Sequence, residues 1–455
     1  MSINLDNVTN IMLGNTPVEQ IADSQGNVLW SGTVDPSTVY FYVEDLSGSD
    51  NTLSITKSES FAPDVEVFYS TDQQNWSSMG TTDTTAITAT VPANGKLYLK
   101  ATTDTWGDMM AYNYINTSGA HNVGGNIMSL LYSDNYTNQT TFPTDSTHNF
   151  YSLFSDMNNT SHLISAQDLI LPATTLAEGC YQTMFRGCTS LTTAPALPAT
   201  TMFSSCYDSM FSGCTSLTTA PALPATTLAD YCYTGMFENC SSLTTAPELP
   251  ATTLADSCYT GMFSGCTSLT TAPALPATTL ADYCYSNMFS NCTALTTAPV
   301  LPATTLTYGC YENMFSGCES LTTAPALPAT TLTDYCYIAM FDGCTALTTA
   351  PALPATTLTY SCYNSMFENC SSLTTAPVLP ATTLAENCYG AMFNGCTNLS
   401  QVTTYGSNIS ASSCLDNWLD GVSATGDFFN LGSPAPSYPS GASGIPSGWT
   451  EHTSL

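Results

Sequence analysis

Basic residues are almost missing from this 455-residue chain: 4 lysines and arginines stand against 35 aspartates and glutamates, a net charge of −31. Nucleic acids and anionic membranes need clustered cations, so the composition excludes both as partners. Charge of either sign is sparse at 9%, while 43% of residues are hydrophobic and 11% aromatic. An acidic disordered tail shows the reverse balance, so the chain is expected to fold around a sizeable core. No apolar run reaches the roughly 18 residues a membrane-spanning helix needs. The stretch Met1–Leu13 has neither a basic segment nor an apolar run, which sets the expectation of no secretory leader. Sequence motifs of nucleophilic hydrolases, phosphate-binding loops and zinc peptidases are missing, and the four histidines (His121, His148, His162, His452) lie outside the repeat described next. No catalytic residue, metal site or cofactor is therefore expected.

What the chain has in abundance is repetition. LPATTL, once written LPATTM, begins at Leu171, Leu197, Leu223, Leu249, Leu275, Leu301, Leu327, Leu353 and Leu379, always 26 residues apart. Nine such units fill Leu171 to Thr404. A strict period without insertions predicts a solenoid in which each coil hides its apolar side only by stacking on its neighbours. The segment LTTAPxLPATTL, rich in threonine and proline, predicts extended chain with at most short strands. CYxxMFxGC spaces its apolar residues as a helical turn or short helix would, closed by Gly or Asn. Stacking at about 4.8 Å per coil would give a rod roughly 40 Å long.

Eighteen of the 19 cysteines form two columns, Cys180 to Cys388 and Cys188 to Cys396; Cys414 opens a degenerate tenth coil. Val422, and Met157 in a divergent starting coil at 150–157, occupy the slot of the second column. Apolar replacements there imply buried free thiols packing in a core. The gap of eight residues between columns and the lack of histidine partners speak against zinc. No Asp-x-Asp-x-Asp loop supports calcium.

Variation concentrates after LPATTL. Glu178, Asp230, Asp256, Asp282, Asp334 and Glu386 fall there, with Tyr231, Tyr283 and Tyr335 beside them and Tyr308 and Tyr360 one position earlier. They predict a ridge of tyrosines and carboxylates. Two readings stay open: a solvated acidic edge, and a ligand-contacting surface that suits sugars or protein loops. The invariant column Tyr181 to Tyr389 reads as packing between coils.

Flanking segments read differently. Residues 1–33 predict small β-hairpins, with Ile11, Leu13, Val18, Ile21, Val28 and Trp30 as the apolar positions of an attachment module. Residues 34–118 carry five alternating runs, at 39–43, 52–56, 65–70, 86–91 and 96–101, a β-sandwich signature. Residues 119–170 are expected to hold a polar linker near 133–147 and the starting coil, 171–422 the solenoid, and 423–455 a Pro/Gly/Ser-rich C-terminal cap. The fold expected is mainly β with short helical turns, a solenoid of 26-residue coils behind a β-sandwich-like domain.

MFxGCTSLTTAPxLP resembles the BspA-type leucine-rich repeat over about residues 150–422. The resemblance implies a leucine-rich-repeat solenoid that binds protein or glycan on surfaces. Here the units run to 26 residues and carry an extra proline. The pattern IxLGxTPVxxI followed by VLW, and the ending IPSGWT, resemble virion proteins of crAss-like phages that infect Bacteroides. That resemblance implies a head or tail fibre or decoration, assembled in the host cytoplasm, docked on capsid or tail proteins through residues 1–33, and projecting its solenoid toward a host glycan or protein. A secreted BspA-like bacterial adhesin and a ligand-free capsid decoration are the alternatives. The partners in view are other virion proteins, a host-surface glycan or protein, and further copies of this chain in a homo-oligomer.

Overall fold

The computed structural model describes residues 12–13, 16–17, 20–22, 28–31, 35–143, 146–156 and 162–455. In the N-terminal module, β1 (Met12–Leu13) pairs antiparallel with β2 (Thr16–Pro17), and β3 (Gln20–Ala22) with β4 (Val28–Ser31). Ile11 and Val18, and the side chains of Leu13, Ile21, Val28 and Trp30, lie outside the described residues, as does Met157.

The next unit packs two sheets. β5 (Tyr42–Asp45), β7 (Glu66–Ser70), β8 (Ser77–Thr81), β10 (Lys96–Ala101), β12 (His121–Asn126) and β13 (Leu163–Ile170) form a six-stranded sheet in the order β13-β12-β5-β10-β7-β8. β6 (Asn51–Lys57), β9 (Ile87–Val91) and β11 (Asn113–Thr117) form a second, in the order β11-β6-β9. Alternation places Leu53 and Ile55 of one sheet and Val43, Val67, Leu97 and Leu99 of the other in a common core. All five runs read from sequence contribute strands; β8, β11, β12 and β13 are additions, and β12 and β13 carry the six-stranded sheet past residue 118 into the stretch expected to be linker and starting coil.

The segment expected to be a polar linker is packed structure. Tyr136 is buried and its hydroxyl donates to the Thr38 carbonyl at 2.5 Å. Asp134 accepts from the Tyr40 hydroxyl at 2.7 Å and from the Lys100 ammonium at 2.6 Å. β13 pairs in parallel with β12, and its Ser165 bridges to Thr193 in the first full coil, so sandwich and solenoid share backbone pairing. Phe154 touches Phe41 of the sandwich at 5.9 Å and stacks on Phe185 of the first coil at 5.3 Å. One apolar core therefore runs from Phe41 to Phe428.

Through most of the stack the extended half carries isolated parallel bridges between threonines, such as Thr219 to Thr245 and Thr305 to Thr331, and a strand forms only at the end of the ninth coil. The CYxxMFxGC half is not a helix. Three residues per coil, four apart, adopt left-handed φ: Gly179, Thr183 and Gly187 in the first coil, Tyr283, Asn287 and Asn291 in the fifth. Each left-handed residue reverses the chain, producing linked turns. Backbone donors then alternate. Gln182, Met184 and Arg186 bond three residues back, to Gly179, Tyr181 and Thr183. Tyr181, Thr183, Phe185 and Gly187 donate to Cys206, Asp208, Met210 and Ser212 of the next coil. A helix would keep all these bonds to itself; here every second one staples neighbouring coils together.

The stack is regular. From Tyr207 to Tyr363 the inner tyrosines lie face to face at 5.7–5.9 Å with planes 2–6° apart. The phenylalanine column repeats at 5.3–5.8 Å. This is wider than the spacing of about 4.8 Å of a strand ladder, because these columns are built on turns.

All nineteen thiols are free and buried. Every thiol of the second column, Cys188 to Cys396, donates to the carbonyl of a phenylalanine in the preceding coil at 2.9–3.2 Å. Cysteine suits this slot because it is small and apolar and still supplies a proton.

At the far end β14 (Gln401–Thr404), β15 (Gly426–Asn430) and β16 (Trp449–His452) form a parallel ladder. Trp418 stacks between Tyr389 and Tyr438, and its indole N–H donates to the Gly444 carbonyl at 3.0 Å. Trp449 donates to Ser423 at 2.7 Å. These two indoles close the open end of the core, as a terminal repeat requires.

Candidate functional site

The ridge lies where each coil passes from LPATTL into its first turn. The first left-handed position of a coil is usually filled by a small residue or Asn: Gly179, Ser205, Ser257, Gly309, Ser361, Asn387. In the third, fifth and seventh coils it is tyrosine: Tyr231, Tyr283 and Tyr335, with φ of 59°, 55° and 60°. A bulky side chain in this region costs on the order of 1–2 kcal/mol and points to a purpose other than folding.

Each of these tyrosines is followed one coil later by a small residue. The Tyr283 ring lies against the α-carbon of Gly309. Ser257 and Ser361, the counterparts after Tyr231 and Tyr335, are buried. Where the position under a ring is small, the preceding position of that coil can hold a second tyrosine, and Tyr308 and Tyr360 do so. Tyr283, Tyr308, Tyr335 and Tyr360 then meet in unbroken succession, edge to face at 5.2 Å in the first and last pairs and tilted at 5.1 Å in the middle one. Tyr231 stands apart, since the fourth coil has Asp256 and Ser257 in these places. Hydrogen bonding with the Tyr360 hydroxyl, helped by partial desolvation, pushes the Tyr335 phenol up to about 12. Desolvation and the Tyr283 hydroxyl likewise raise Tyr308.

The carboxylates clip one coil to the next. Asp230 accepts the backbone N–H of Asp256 at 3.1 Å, and Asp256 that of Asp282 at 3.0 Å. Asp282 accepts the N–H of Tyr308 and Asp334 that of Tyr360, each at 3.0 Å. Each uses Oδ1, which leaves its second oxygen as an acceptor. The exposed Glu178 and Glu386 lie at the two ends of the ridge, Glu178 in the first coil and Glu386 in the coil directly after Tyr360.

Sequence reasoning missed Phe203. It is exposed in the second coil and borders, with Phe142, Pro143, Leu176 and Glu178, a shallow cavity at the foot of the ridge. The departure of the second unit from LPATTL to LPATTM-Phe was its signal. The two-coil alternation of tyrosine and small residue was also missed.

Fold and ridge together define a β-rich repeat solenoid with one variable edge. The family model described as BspA type leucine rich repeat region (6 copies) matches residues 131–244, 164–296, 235–374 and 312–420. The chain belongs to the BspA-type leucine-rich repeat family. No curated protein and no solved structure matches it.

Proposed function

We propose that this protein is an adhesive shaft of a phage particle: the N-terminal module docks on the capsid or tail, and the solenoid presents the tyrosine strip to a host-surface ligand. Its task is binding rather than catalysis. The observation that carries the adhesive reading is the strip itself, an unbroken row of tyrosines in which Tyr283 and Tyr335 are held in a strained backbone conformation across four coils. Family membership fits a surface adhesion or protein-binding role. Particle attachment is supported by the likeness of IxLGxTPVxxI and IPSGWT to phage virion proteins. Burial of nineteen unoxidised thiols suits assembly in a reducing cytoplasm.

Two measurements test this. Fluorescently labelled protein should decorate host cells, and Tyr308→Ser combined with Tyr360→Ser should abolish decoration; undiminished decoration ends the adhesive reading. Mass spectrometry of purified particles should find the chain; its recovery from the bacterial envelope instead would favour a bacterial adhesin using the same strip.

A further inference from the structure

The geometry points to a particular ligand: we infer that the strip Tyr283–Tyr308–Tyr335–Tyr360 holds a linear β-1,4-linked polysaccharide free of anionic groups, lying parallel to the solenoid axis. The inference rests on the adhesive reading above and adds the ligand's chemistry. Three features of the site carry it.

The first is symmetry. Tyr283 and Tyr335 occupy one coil position, Tyr308 and Tyr360 another, and successive planes differ by 71°, 56° and 72°. The surface therefore repeats every two coils, with alternating ring orientation. A β-1,4 chain has the same alternation, since each pyranose is turned over relative to the last. An extended peptide presents same-side side chains about every 6.7 Å, which falls out of step with rings 5.1–5.2 Å apart within the strip.

The second is charge. Asp230, Asp256, Asp282, Asp334 and Glu386 flank the tyrosines, and Arg186 is the sole basic residue among the nine coils. Phosphate, sulfate or uronate groups would meet like charge with no cation to answer them. A neutral pyranose offers an apolar face to a tyrosine and a rim of hydroxyl donors to the free oxygens of Asp282 and Asp334.

The third is preorganisation. Left-handed backbone at Tyr283 and Tyr335, close packing of Tyr283 on Gly309 and the ring-to-ring contacts along the strip fix the rings before any ligand arrives. Little side-chain freedom is left to lose on binding.

Calorimetric titration of the full chain with N-acetylglucosamine and glucose β-1,4 oligomers, from dimer to hexamer, tests the inference. Affinity should rise about tenfold or more from dimer to tetramer and level off once four rings are covered. Tyr308→Ser with Tyr360→Ser should remove at least about tenfold of the tetramer affinity with an unchanged circular dichroism spectrum. Val300→Ser, in the extended half of a coil, should leave binding unchanged. Failure of both oligomer series to bind, tighter binding of heparin or of a lysine-rich peptide, or a length dependence that survives the double variant overturns it. Decoration of cells that needs the strip while no oligomer binds would sink this ligand and leave the adhesive reading standing.

Discussion

The Tyr283 ring stands 2.6 Å from the point where a β-carbon of residue 309 would sit, and Gly309 has φ of +55°. Space and backbone both select a small residue there. Gly309→Ser is expected to cost no more than about 1 kcal/mol, since serine fills the same place at 257 and 361 and the ring can shift. Gly309→Val adds a β-branched side chain in left-handed backbone to a steric conflict, and should cost about 2–3 kcal/mol. Urea unfolding followed by circular dichroism measures both; equal midpoints for the two variants would show that the ring does not constrain residue 309.

Tyr231 has the same strained backbone as Tyr283 without a ridge tyrosine against its ring. Tyr231→Asn should therefore stabilise the solenoid by about 1 kcal/mol, because asparagine tolerates left-handed φ and few contacts are lost. Tyr283→Asn gains the same relief but loses its edge-to-face contact with Tyr308, and should come out near neutral. Parallel denaturant curves of the two variants check the ordering, and a destabilised Tyr231→Asn would show that this tyrosine serves the fold.

These effects lie at the level the sequence hid. The coils and both cysteine columns were legible because identical residues every 26 positions can bury themselves only by stacking. The linked turns were not: Cys180, Met184, Phe185 and Cys188 have the spacing of a helix face, and what decides against a helix is left-handed backbone at Gly179, Thr183 and Gly187. Thr183 carries no sequence mark of such a conformation. The ridge was legible as variation, since Glu178 to Glu386 break a fixed pattern. Its organisation was not, because a tyrosine and the glycine beneath it are one coil apart in space and 26 residues apart in sequence, as with Tyr283 and Gly309. The segment near 133–147 reads as polar, yet Tyr136 and Asp134 anchor it through contacts with residues about a hundred positions away.

The thiols give a chemical signature. Burial pushes the Cys240 and Cys292 thiols up to about 12 from an ordinary value of 9.0, and lifts Cys266 well above that ordinary value. The thiolate is the reactive form, so native protein at pH 8 should hardly react with Ellman's reagent, and all nineteen should titrate in guanidinium. A raised value in the fold means stability that is complete below pH 9 and lost as pH climbs through the folded values. Stability should accordingly begin to fall near pH 9, about one unit before the buried tyrosines, with an ordinary value of 10.0, add their own loss. Rapid labelling of the native chain would show that the columns are open to solvent.

Trp418 closes the core by stacking on Tyr389 and Tyr438. Trp418→Ala opens a cavity and leaves the Gly444 carbonyl without its donor, at a cost of about 3–5 kcal/mol. Coils contact only their neighbours, so the loss should be local. Hydrogen exchange should quicken over residues 379–430 and stay slow around Tyr207 and Tyr233. A uniform increase along the chain would mean that the solenoid unfolds as one unit and that Trp418 is no cap.

His121 sets the acid limit of the sandwich. It is buried beside β13, its Nδ1 within 2.6 Å of the Thr117 hydroxyl and 3.2 Å of the Gly119 carbonyl. Desolvation dominates and brings its value down to about 4 from 6.5, opposed first by the hydrogen bond to the Gly119 carbonyl and, more weakly, by the Asp45 charge. The unfolded chain thus takes up this proton first as pH drops. Stability is whole above pH 6.5 and declines between 6.5 and about 4, by about 3 kcal/mol at the lower limit. Many carboxylates titrate below pH 5 as well, so the informative quantity is the difference between wild type and His121→Gln. The variant should lose less stability than wild type between pH 7 and pH 5 in thermal melts, with its own constant penalty at pH 7. Parallel curves would mean that the imidazole reaches water and that the junction between sandwich and solenoid is open on that side.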